Sequence, residues 1–168
     1  MKISMYQASI PVFIRMLKNL RAILQKGQAY AEAKKIEPTV LINSRLYPDM
    51  FPLVRQIQIA SDVAKGCGAR LAGLEPPKFD DNESTFPELF ARIDETIAYL
   101  GTLKPDQIDG TEEKTITMQI RNNTMTFAGM PFLLNFATPN FYFHVTTAYD
   151  IFRHCGVEIG KQDFIGTM

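Results

Sequence analysis

Thr85-Phe86-Pro87-Glu88-Leu89-Phe90-Ala91-Arg92-Ile93, continuing through Ile97 and Leu100 to Gly101, carries the best helix-start signal in the chain. Thr85 and Glu88 have the spacing of a capping box, in which hydroxyl and carboxylate each satisfy a free backbone N–H of the other residue. Behind them Phe86, Leu89, Phe90, Ile93, Ile97 and Leu100 recur at three- and four-residue intervals, which places them on one helical face. Gly101 is the expected stop. A helix with one apolar face must bury it against other elements, so the flanking sequence has to supply partners.

Upstream, Ile10, Phe13, Ile14, Leu17, Leu20 and Leu24 form a comparable stripe and predict a first helix. Pro11 suits its first turn, Gly27 marks a stop or break, and Glu37-Pro38 ends the helical stretch. A second helix is predicted over 49–72 from Met50, Leu53, Val54, Ile57, Ala60, Ala64, Cys67 and Leu71, with Asp49 as N-cap and Gly73 closing it. Gly66 and Gly68 inside that pattern each cost about 1 kcal/mol against alanine and are read as points of close helix approach. Residues 75–82, rich in Pro and Asp, read as a surface loop.

Beyond Gly101 the period changes from about 3.6 to 2. Ile116, Met118 and Ile120 alternate with Thr115, Thr117 and Gln119, which predicts a strand. Asn122-Asn123 is the expected turn, and Met125 and Phe127 alternate on the return, giving a hairpin over 115–127 that must lean on the helices. A fourth helix is predicted from Thr138 as N-cap and Pro139 at the first position. Phe141, Val145, Ala148 and Phe152 share its face, and Gly156 ends it. In the tail, Phe164 and Ile165 are the expected packing anchors.

The 168 residues fit one domain spanning 1–168, long enough to bury a continuous core, and an apolar content of 46% with 21% charged residues argues against disorder. Eighteen basic residues balance eighteen acidic ones, and no basic stripe interleaves with aromatics, so nucleic acid is not an expected partner. No apolar run approaches the roughly 20 residues a bilayer crossing needs, and the segment 1–7 lacks the features of a signal peptide, so the expected location is the cytoplasm. Cys67 and Cys155 are far apart and outside any Cys-x-x-Cys spacing. They are expected to be reduced and to pack as small hydrophobes. The eight methionines suit an adaptable core.

With the helices placed, several blocks resemble the DinB-like and YfiT-like superfamily of four-helix-bundle metalloenzymes, and within it a family of unassigned function. The carriers are Asp49-Met50-Phe51-Pro52-Leu53, Ala64-Lys65, Ala69-Arg70-Leu71-Ala72-Gly73 and Phe86-Pro87-Glu88-Leu89-Phe90-Ala91-Arg92-Ile93. The most specific is Asn140-Phe141-Tyr142-Phe143-His144-Val145-Thr146-Thr147-Ala148-Tyr149, continuing through Arg153-His154-Cys155-Gly156-Val157 to Gly160-Lys161-Gln162-Asp163-Phe164. The resemblance implies a mainly all-α, up-down-down-up or related four-helix bundle with a small hairpin, and a homodimer. It also implies a divalent metal, zinc or nickel, held by three histidines, one on the second helix and a His-x-x-x-His pair on the last. His144 matches the first member of that pair, but Ala148 stands where the second belongs, and the second helix has no histidine. Because such ions need three or four converging donors, the expected metal site is degenerate.

Two readings follow for His144. The preferred one is a buried, hydrogen-bonded histidine that orients its helix; the alternative makes it a ligand or base facing Asp49, Gln58 and Asp62. His154, in the last helical turn, reads as a cap favoured by the helix dipole. Tyr142, with Phe141, Phe143 and Asn140, forms an aromatic cluster that builds core or interface, or else walls a ligand pocket. The first functional hypothesis is a binding or structural bundle with a small-molecule pocket near His144. The second is a divalent-metal-dependent thiol transferase or hydrolase using His144 and helix-two carboxylates. Nothing resembles a phosphate loop or a catalytic triad.

Overall fold

The computed structural model describes residues 3–120 and 122–167; Met1 and Lys2, part of the segment read above for a signal peptide, lie outside them. The chain order is α1 (Met5–Lys34), α2 (Pro38–Ile42), α3 (Leu53–Ala72), α4 (Phe86–Thr102), α5 (Pro105–Ile108), β1 (Thr115–Ile120) and β2 (Asn123–Ala128). A continuous helical path follows, made of α6 (Gly129–Pro131), a π-helical segment (Phe132–Ala137) and α7 (Thr138–His154), and then comes α8 (Lys161–Ile165). The bundle helices are α1, α3, α4 and α7.

Their directions follow from who meets whom. The Phe13 ring stands edge-on to Phe141, and Gly27 lies against Phe152, so α1 and α7 run parallel. Asp62 meets Arg92 and Gly68 meets Leu100, so α3 and α4 run parallel to each other. Arg21 pairs with Asp94 and Ile10 also reaches Gly68, which sets α1 against both. The topology is therefore up-down-down-up, as expected. The core between the four contains Phe13, Leu17, Leu20, Ile57, Ala60, Ile93, Phe141 and Phe152, all essentially free of solvent. No helix among the described residues is long and apolar enough to cross a membrane.

Several local expectations change. Gly27 does not stop the first helix: α1 starts after its N-cap Ser4, whose capping box with Gln7 is complete, and runs through Gly27 to a left-handed cap at Lys35 (φ 55°). Glycine is there for closeness, since a Cβ would sit 2.5 Å from Phe152 Cζ. Gly68 likewise lets Ile10 and Leu100 approach, whereas a Cβ at Gly66 would meet only Arg70 of its own helix. Asp49 is not the cap of α3, which starts after Pro52. A residue preceding proline is steered away from helical angles, so Phe51 cannot continue a turn begun at Asp49.

The capping box of Thr85 and Glu88 is formed, and α4 ends at Thr102, one residue past Gly101. The hairpin pairs Ile120 with Asn123, so Asn123 opens β2 instead of standing in the turn. It leans on the bundle through buried Ile116 and through Phe127, whose ring lies 5.8 Å from Phe132 and 5.2 Å from Phe136. Thr138 is not an N-cap; its backbone is already helical and its Oγ1 is buried without a partner. Pro139 has no N–H to give Asn135, and in an ordinary α-turn its ring would press on that carbonyl. The wider π-turn just before it accommodates both effects. The tail forms α8, held to α1 by Asn19 Nδ2, which donates to the carbonyls of Phe164 and Ile165 at 3.0 Å.

Candidate functional site

Three structures lie along α3, and each draws on a different set of neighbours. The first is the pair between α3 and α7. His144 is buried, and its Nδ1 lies 2.7 Å from Gln56 Oε1. Gln56 Nε2 donates to the Phe51 carbonyl at 3.0 Å. An amide nitrogen committed to a carbonyl leaves only its oxygen for the imidazole, so Nδ1 carries the proton and Nε2 the lone pair. Burial first, and the positive charge of Arg55 second, push the imidazolium pKa of His144 down to about 4. The ring is neutral at physiological pH.

The second is a buried ionic network between α3, α4 and the 75–84 loop. The Arg92 side chain is 1% exposed and holds Glu83 (2.7 Å), Asp62 (2.8 Å) and Asp81 (3.0 Å). Lys65 also binds Asp62 at 2.6 Å, and Arg55 binds Asp81 and Gln58. Gln58 donates to Glu83 at 2.8 Å. Phe79 closes the loop over this network, with Lys65 Nζ 3.7 Å from its ring centroid. Burial opposes ionisation of Asp81, but hydrogen bonds and charge from Arg55 and Arg92 prevail and hold its carboxyl below the usual range.

The third is a cavity of about 270 Å³ between α3, the hairpin and the helical path into α7. Its apolar wall is Val63, Cys67, Met118, Ile120, Phe132 and Phe136. Three polar residues reach the same space: Asp62, Arg70 and Asn140. The π-turn contributes directly, because it sets Phe132, Phe136 and Ala137 on the wall beside Asn140. Burial pushes the Cys67 thiol up to about 12, against a smaller lowering by Arg70, so this cysteine is an inert wall residue.

The residues singled out from sequence are thus distributed. Asp62 and Asn140 line the cavity. His144 sits one turn of α7 beyond Asn140 and bonds to Gln56, while Gln58 and Asp62 turn to the ionic network. Asp49 is exposed in the turn before α3, and Tyr142 is half-buried, edge-on to Phe141. His154 is exposed; the side chain that reaches a carbonyl beyond α7 is Arg153, 3.2 Å from Val157 O. Gln56 escaped sequence reading, although a signal exists: with Leu53 and Ala60 it falls on the apolar stripe, where a polar residue needs an internal partner.

A three-ligand metal site does not fit these residues. Among the described residues no three His, Cys, Asp or Glu side chains converge on one point. The α3 side chain facing His144 is an amide, its Nδ1 is committed to that amide, and Arg55 adds positive charge that disfavours a cation.

Fold and site together define a four-helix bundle of the DinB-like kind in which the α3 side chain facing His144 is an amide. The chain belongs to the family described as a domain of unknown function, DUF1993, whose model matches residues 5–165. It is similar to the crystal structure of a DinB family member protein from Shewanella denitrificans, with 43% identity and a TM-score of 0.87 over 97% of this chain and 92% of that one. No curated protein matches. The resemblance carried by the blocks at 49–73, 86–89 and 140–164 is confirmed at the level of family and fold.

Proposed function

We propose that the chain is a small-molecule-binding bundle, with its ligand in the cavity between α3, the hairpin and the π-turn and with His144 serving the architecture. The supporting observation is the cavity itself. It combines an apolar wall from three elements with a few polar groups, the composition expected of a site that orients a small ligand. Two larger clefts, about 370 and 500 Å³, flank the 75–84 loop. Lys65, Asp62, Arg92 and Glu83 in those clefts are already matched to one another, although Arg70 lines the larger cleft as well as the cavity.

The metal-dependent reading is weaker on the same residues. A neutral histidine with pKa about 4 is a poor general base at neutral pH, and one imidazole nitrogen is too few donors for zinc or nickel. The test is a screen of small aromatic and aliphatic fragments by ligand-observed NMR, on the native chain and on Val63→Phe, which plugs the cavity from its half-buried wall. Binding to the native chain that disappears in a folded Val63→Phe protein supports the proposal. Binding that is indifferent to the plug, or absent altogether, overturns it.

A further inference from the structure

The cavity's three polar residues are not equivalent. Asp62 is engaged twice, by Lys65 and by Arg92. Asn140 and Arg70 make no side-chain hydrogen bond among the described residues, and Arg70 takes no part in the ion pairs that match Arg55, Lys65 and Arg92 to Asp62, Asp81 and Glu83. The half-buried Arg70 lines this cavity, and also the cleft of about 500 Å³ beside Gly66, without a counter-charge among the described residues.

The side chain runs back over Gly66, one turn toward the helix start, and any Cβ at that residue would lie 2.5 Å from Arg70 Nη1. The usual account of an arginine in a last helical turn is attraction to the terminal carbonyls. It does not apply to a side chain directed the other way.

We propose that the cavity takes a monocarboxylate with a compact apolar body: the carboxylate binds the Arg70 guanidinium, with the Asn140 amide as a second donor, and the body lies on Met118, Ile120 and Phe136. This rests on the reading of the cavity as the ligand site. A planar guanidinium matches a carboxylate in bidentate geometry. A dianionic phosphate would bring more charge than one free cation offsets in an apolar chamber. Asp62 does not repel the ligand, because Lys65 and Arg92 already balance it.

The experiment compares 3-phenylpropionate with its neutral isostere 3-phenylpropanamide by calorimetry at neutral pH, on the full native chain, Arg70→Gln and Arg70→Lys. A charge-assisted bond predicts that the acid binds at least about tenfold more tightly than the amide, that Arg70→Gln abolishes the difference, and that Arg70→Lys keeps part of it. Thermal melts confirm that the variants are folded. Equal affinity for acid and amide overturns the carboxylate assignment and leaves the ligand cavity standing. An acid preference that survives Arg70→Gln places the anion on another cation and equally overturns it. If neither compound binds, the carboxylate assignment fails; if the fragment screen is also empty, the cavity reading fails with it.

Discussion

Gln56 and His144 fix each other's chemistry: because Gln56 Nε2 is spent on the Phe51 carbonyl at 3.0 Å, its Oε1 receives Nδ1–H of His144 at 2.7 Å. One hydrogen bond therefore ties α3 to α7 and also selects the tautomer. An amide oxygen bound to Nδ1–H leaves the pair without the converging donors that zinc or nickel needs.

The pair makes stability depend on pH. The folded-state pKa of His144 is depressed from 6.5 to about 4, so between those values the unfolded chain binds the extra proton and the folded chain does not. The stabilisation is complete above about pH 6.5 and is lost as pH falls toward 4, by up to about 3 kcal/mol at 1.36 kcal/mol per pKa unit. Urea midpoints measured from pH 7 to pH 4.5 should fall in the native protein, and more shallowly in His144→Gln. Parallel pH profiles would remove His144 as the cause.

Metal content separates the architectural histidine from a ligand. Protein purified without chelator or a histidine tag is expected to hold well under one equivalent of zinc or nickel, and His144→Ala should leave that amount unchanged. A full equivalent that vanishes with the substitution would reinstate the metal-dependent reading.

Gly27→Ala opposes helix propensity to packing. Alanine is favoured by about 1 kcal/mol within a helix, but its Cβ would fall 2.5 Å from Cζ of the buried Phe152 ring. Overpacking a core costs about 1–3 kcal/mol, so the expected result is net destabilisation, relieved in the double variant with Phe152→Leu. A gain in melting temperature from Gly27→Ala alone would contradict the close approach of α1 and α7.

Arg92→Gln should be among the more damaging single changes outside the apolar core. It removes the buried partner of Asp62, Asp81 and Glu83, and breaking a buried ion pair costs about 3–5 kcal/mol. We expect a loss toward the lower end, because Asp62 and Asp81 retain access to water. Chemical denaturation reads this, and limited proteolysis within 75–84 should accelerate with it. A change below about 1 kcal/mol, the range of a surface pair, would refute the network's role.

The bundle was legible because helix faces are written in the spacing of apolar side chains, and the Thr85–Glu88 box and the 115–127 alternation each carry a local rule. Glycines and prolines were ambiguous for a physical reason. Gly27 at a close approach and a glycine at a helix stop look alike in sequence, and Pro139 fits either a first turn or a π-turn. Pairings across helices were harder still. Whether His144 meets Gln56, Gln58 or Asp62 depends on the rotation of α3 by a fraction of a turn, which the pattern leaves loose. The cavity draws its wall from α3, the hairpin and the π-turn, and no single segment announces it.

The location of the ligand site is tested most directly by mapping fragment-induced shifts on methyl-labelled protein. A ligand in the cavity concentrates perturbations at Val63, Met118 and Ile120, on its wall. Perturbations centred instead on Val54 and Ile57, beside Gln56 on α3, would put the ligand at His144 and contradict the cavity site.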